Sequence, residues 1–167
     1  AMGSGALIAA TTGTRNIAIG TDALKTMTTV SNNTAVGAWA LNTNAAADNT
    51  AIGYLSMYAN TTGTDNTAVG YASLDANTTG GTNTAVGDNA LGANTTASNN
   101  TAVGASALLV NTTGTPNTAV GKSALAANTT GEYNVAVGAE AGDANTTGSL
   151  NTALGYLTLS ANTTADG

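Results

Sequence analysis

The chain has 167 residues, of which only 7% are charged: three are basic, nine are acidic, and His, Cys and Phe are absent. A net charge of −6 argues against a nucleic-acid or heparin surface. Lack of His and Cys removes Ser-His-Asp and Cys-His catalysis, disulfide staples and imidazole or thiolate metal sites.

Taken in order, Ala1-Met2-Gly3-Ser4-Gly5 reads as a cloning scar, which suggests a fragment of a longer chain. Residues 6–15 contain Ala9-Ala10-Thr11-Thr12-Gly13 and read as a partial first coil. From Asn16 onward one unit repeats. Asn-Thr-Ala-Val-Gly or a close copy begins at Asn16, Asn33, Asn49, Asn66, Asn83, Asn100, Asn117, Asn134 and Asn151. The spacing is 17 residues, except for 16 between Asn33 and Asn49. Strict self-similarity at this period is the mark of a stacked array, so residues 16–167 are read as one repeat domain.

Numbering each unit from its Asn, position one is always Asn, position three always Ala and position five always Gly. Position four is Val, Ile or Leu. Position nine is Leu except at Met57 and Gly142. A second motif, Asn-Thr-Thr and usually Gly, begins at position twelve, as at Asn60, Asn77 and Asn94. The first unit departs from it with Met27 and Val30, and the second is one residue short, a deletion expected in its second turn. Pro116 falls at position seventeen, where no ladder hydrogen bond is expected to be needed.

Seventeen residues are too few for a helical hairpin and carry no 3.6-residue apolar period. Thr-Ala-Val bounded by Asn and Gly, and Ala-Leu-x-Ala bounded by Gly and Asn-Thr-Thr, both read as short strands between turns. The expected fold is an all-β solenoid, a parallel β-roll of about nine coils with two short strands each. At ~4.8 Å per coil it forms a rod of roughly 43 Å. Asn at position one is expected to stack as a corner ladder rather than to bind a ligand. Gly at position five is expected where a Cβ would obstruct a turn. The Asn-x-Thr sequons are read as turn chemistry rather than glycan sites.

Ala68 and Val69 lie on opposite faces of the first strand, yet both positions stay apolar in every copy. A strand apolar on both faces is usually buried on both. Val is assigned to the interior, and Ala68, Ala85, Ala102, Ala119 and Ala136 to an interface with further copies of the chain. Trp39, Tyr54, Tyr71 and Tyr156 fall at positions six or seven and are candidate exposed contacts; Tyr54 and Tyr71 occupy adjacent coils and can stack. The acidic residues recur at no fixed position, unlike calcium-binding coils. An enzyme, a cofactor and a metal are not expected.

The repeated Asn-Thr-Ala-Val-Gly followed by Ala-Leu, over about residues 16–167, resembles the head repeats of trimeric autotransporter adhesins, the YadA-like heads. Similar repeats occur in phage tail fibres. The resemblance implies a left-handed parallel β-roll and three chains side by side as a parallel homotrimer. It implies attachment of a bacterial cell surface, or a virion fibre, to host, matrix or other cells, through a protein or a surface glycan. It also implies an outer-membrane anchor elsewhere, with no membrane insertion by this segment. The unit departs from the family in its Asn-Thr-Thr-Gly insertion and in lacking a basic neck and coiled-coil stalk. Two other expectations stand beside it. One is an ice-binding solenoid using Thr34, Thr50, Thr67, Thr84, Thr101 and Thr118 as a ladder, which Ile17 and Val135 interrupt. The other is a passive spacer.

Overall fold

The computed structural model describes residues 1–167. Its nine strands are β1 (Ile17–Ile19), β2 (Thr34–Val36), β3 (Thr50–Ile52), β4 (Thr67–Val69), β5 (Thr84–Val86), β6 (Thr101–Val103), β7 (Thr118–Val120), β8 (Val135–Val137) and β9 (Thr152–Leu154). They pair in parallel and in sequence order, β1 through β9, as one sheet. Register is set residue for residue: Thr67 lies beside Thr84, Ala68 beside Ala85 and Val69 beside Val86. The chain is a β-solenoid, each coil laying one strand beside the previous one.

Each coil has one strand, not the two expected from its sequence. Positions six to eleven, where the second was placed, run as turns. The cause is backbone handedness. Residues at positions seven and nine have positive φ, as in Asn89 (53°) and Leu91 (52°), or Ser106 (59°) and Leu108 (50°). These reversals send the N–H groups of positions seven and nine in opposite directions along the rod. Asn89 N–H donates back to Tyr71 O at 2.9 Å, and Leu91 N–H donates forward to Ala107 O at 3.0 Å. A left-handed Leu costs on the order of 1 kcal/mol. Full burial of its side chain returns about 2 kcal/mol, so the conformation is sustained.

The interior is thin. Ala at positions three and eight and Leu or Met at nine form a single buried cluster along the rod, from Ala18 to Ala153. Two buried Asn ladders flank it. In the first, each Oδ1 accepts the backbone N–H of the next position-one Asn, as in Asn83 to Asn66 (2.9 Å) and Asn100 to Asn83 (3.0 Å). In the second, Asn77 Nδ2 donates to Asn60 Oδ1 at 2.9 Å, and Asn94 Nδ2 to Asn77 Oδ1 at 3.0 Å. Both ladders meet on one carbonyl per coil: Gly80 O accepts Nδ2 of Asn66 and of Asn77, each at 2.9 Å. The amides therefore close the coil as well as stack it, which is the corner role expected of position one.

The short second coil keeps this closure. Ala46 O still accepts Asn33 Nδ2 (3.0 Å) and Asn44 Nδ2 (2.6 Å). The missing residue falls between Asn44 and Ala46, in the second turn as expected. At position seventeen the sequence expectation is corrected. Thr82 and Asn99 donate their N–H groups to the preceding coil at Thr64 O and Gly81 O. Pro116 lacks that donor, and the Thr115 hydroxyl takes its place on Ser98 O. At the other end, residues 2–5, read as a scar, follow the coil path. Met2 bridges Ile19 in parallel, and Gly20 N–H donates to Met2 O at 2.7 Å. The coil read as starting at residue 6 thus extends back to Met2.

Candidate functional surfaces

Strand geometry decides which side chains are available. In every strand the central Ala is buried and its two neighbours are at least partly exposed. Ala68, Ala85, Ala102, Ala119 and Ala136 are wholly buried inside their own chain, packed with the position-nine Leu residues. They are core, and the expectation that they form a surface between chains is corrected. The outward residues are positions two and four. Two rows therefore run along the sheet: Thr, with Ile17 and Val135 at the exceptions, and Val, Ile or Leu throughout. Neither row contains a charge. Ile17, Ile19 and Ile52 are between 40% and 51% exposed.

A second surface lies past the position-five Gly, on the turn corner. Trp39 and Tyr54 have ring centroids 5.9 Å apart, Trp39 and Tyr58 6.3 Å, and Tyr54 and Tyr71 5.6 Å with planes only 18° apart. Three of the four aromatics singled out from sequence thus come together, with Tyr54 and Tyr71 stacked as expected. Tyr156, at the same position of the last coil, makes no ring contact with them and stands alone, 68% exposed. Tyr58 was missed. It occupies position ten, and the left-handed residues at seven and nine fold that position back onto the corner that carries six and seven.

Asp75 follows Tyr58 at position ten of the next coil. Burial pushes its carboxyl above the ordinary range, against the opposing pull of the backbone N–H groups of Asp75 and Ala76. Asp88 and Asn89 follow Tyr71 and bond each other at 2.6 Å. On the near side of the cluster, Lys25 pairs with Asp22 at 3.2 Å.

The Asn-Thr-Thr turns from Asn60 to Asn128 offer no acceptor for a glycan, whereas Asn162 in the last coil is only partly buried. Asn60, Asn77, Asn94, Asn111 and Asn128 are fully buried, and their Nδ2 groups donate to the Asn Oδ1 of the preceding coil in the same ladder and to the position-fifteen carbonyl. The following Thr is occupied too: Thr61 Oγ1 donates to Thr78 O at 2.8 Å and Thr129 Oγ1 to Thr146 O at 2.9 Å. No cavity opens in the surface, and no three acidic side chains converge to hold a metal. Compared with protein-family profiles, with curated proteins and with solved structures, the chain gives no match.

Proposed function

We propose that this chain is a non-enzymatic fibre or adhesin segment that assembles side by side with copies of itself through the outer face of its sheet. The observation that carries the reading is the row of Ile, Val and Leu at position four, left uncovered along nine strands while the solenoid buries its Ala and Leu. The face is about 43 Å long and about 10 Å wide. Its position-four row is apolar and its position-two row is mostly Thr, and an uncharged, partly apolar patch of this extent commonly marks an interface. Burying the partly exposed Val, Ile or Leu of each coil contributes at about 25 cal/mol per Å², repeated at every coil. The repeat's resemblance to trimeric autotransporter heads supports three parallel chains, an extracellular place on a bacterial surface or virion, and attachment as the role. Light scattering on the purified chain tests it: a mass three times that of the 16.0 kDa chain is expected, and a lone 16.0 kDa species overturns it.

A second reading, ice binding, is favoured by one specific feature of the same face. Thr at position two and Val at position four form two straight, charge-free rows at the regular spacing of a parallel sheet. The two readings exclude each other on this face, since ice needs it free and assembly covers it. A freezing-point gap in thermal hysteresis, lost in Thr84→Tyr and accompanied by a monomer, selects ice binding. A passive spacer shows assembly but neither ice nor target binding.

A further inference from the structure

Four of the six Trp and Tyr residues of the chain gather on three consecutive coils. The solenoid does not need them there. Position six elsewhere holds Thr21, Ala38, Asp88, Ala105, Lys122, Ala139 and, in the last coil, Tyr156, and the sheet register continues unchanged past the small and polar ones. Their rings are between 39% and 55% exposed, and the coil-to-coil side-chain bonds run through Asn, Thr and Ser instead. Four large apolar rings kept half in water on a corner that small residues could form call for a ligand.

The spacing indicates how the rings present themselves. Successive coils are ~4.8 Å apart, whereas packed carbon atoms meet at about 3.5–4.0 Å. Near-parallel rings on neighbouring coils, such as Tyr54 and Tyr71 at 18°, make contact by leaning like roof tiles. Each then leaves part of one face and its hydroxyl edge outward. The result is a short stepped ladder running along the rod, apolar on its faces and hydrogen-bonding at its edges.

Charge narrows the ligand. Asp75, Asp88 and Asn89 lie beyond the ladder at one end, and the one nearby base, Lys25, is already paired with Asp22. An anionic chain, whether sulfated, sialylated or nucleic, meets like charge there. A neutral sugar chain suits both features: its C–H faces stack on rings, and its hydroxyls donate to carboxylate, amide and phenol oxygens. We infer that Trp39, Tyr54, Tyr58 and Tyr71 form a binding site for a neutral oligosaccharide lying along the rod, with Asp75, Asp88 and Asn89 as hydrogen-bonding partners at its end. The inference names a ligand class within the attachment reading above and rests on it.

Trp39 is the only Trp, so its emission reports this site alone. The test titrates the full chain with neutral hexasaccharides of α- and β-linked glucose, mannose, galactose and N-acetylglucosamine. A saturable shift in Trp39 emission is expected with at least one of them. Tyr71→Ala, a residue position six carries in other coils, is expected to weaken it at least tenfold at an unchanged melting midpoint; Tyr71→Phe retains most binding and Tyr156→Ala all of it. No shift with any sugar, or a shift that Tyr71→Ala leaves intact, overturns the inference. So does an equal shift with tetramethylammonium chloride, which would mark a cation site instead. Light scattering on the same samples separates the two claims: a trimer that binds no sugar contradicts this one alone, and a sugar-binding monomer contradicts assembly alone.

Discussion

The side-chain Oδ1 of Asn66 accepts the backbone N–H of Asn83 at 2.9 Å, so a buried amide in one coil fixes where the next strand begins. Asn83 repeats the arrangement toward Asn100 at 3.0 Å and donates its own Nδ2 to Ala97 O at 2.9 Å. Replacing it by Ala strands the Asn100 N–H, at a cost of about 1–3 kcal/mol. Asn83→Asp is expected to cost more at neutral pH, about 3 kcal/mol or above, because it turns a charged acceptor toward the Ala97 carbonyl in a buried site. Protonation restores a donor, so urea unfolding should find this variant closer to wild type in acid than at pH 7.

Gly87 and Gly155 hold the same position with different surroundings. A Cβ on Gly87 would lie 2.5 Å from Gly104 O, whereas on Gly155 its nearest neighbour is Thr158 Cγ2 at 3.4 Å. Both have φ above +100°, so both pay the conformational term. Gly87→Ala should cost about 3 kcal/mol or more through the added clash with backbone. Gly155→Ala should cost about 1–2 kcal/mol. Equal losses in melting experiments would contradict the stacking role given to position five.

Ala102 and Val103 are adjacent in β6 and face opposite ways. Ala102→Glu places a carboxylate in a fully buried cluster and should unfold the surrounding coils, lost as a block in circular dichroism. Val103→Asp should leave the fold of the single chain in place and act only on assembly. The reverse pattern would restore the interface first expected from the sequence.

Asp75 has a carboxyl raised by burial. The folded state thus holds its proton more tightly than the unfolded chain, and stability falls as pH rises through the window between the ordinary Asp value of 3.8 and the higher folded one. Asp75→Asn should abolish that fall, raising the melting midpoint at pH 7 relative to wild type while leaving it near wild type below pH 3.8.

The period, the parallel stacking, the Asn ladder and the obstructed Gly were legible because each recurs at a fixed position and follows from one residue type. The facing of Ala68 and Val69 was not. A three-residue strand apolar at both positions gives alternation without a direction, and the larger side chain was assigned inward. The thin interior instead has room for Ala opposite Leu74, and Val69 goes out. The second strand failed for another reason: nothing in Ala-Leu announces a left-handed Leu, a conformation such residues rarely adopt. Here inter-coil bonds on both sides enforce it. Tyr58 was lost by the same route, since its place on the corner depends on those reversals.

The proposed assembly joins one chain to another through the outward Thr and Val rows. Sedimentation equilibrium comparing wild type with Val86→Asp/Val103→Asp tests it most directly, with circular dichroism to verify that both retain the solenoid. Three associated chains are expected for wild type and a single 16.0 kDa chain for the variant. A variant that associates as wild type does, or a wild type that stays single at every concentration, would contradict it.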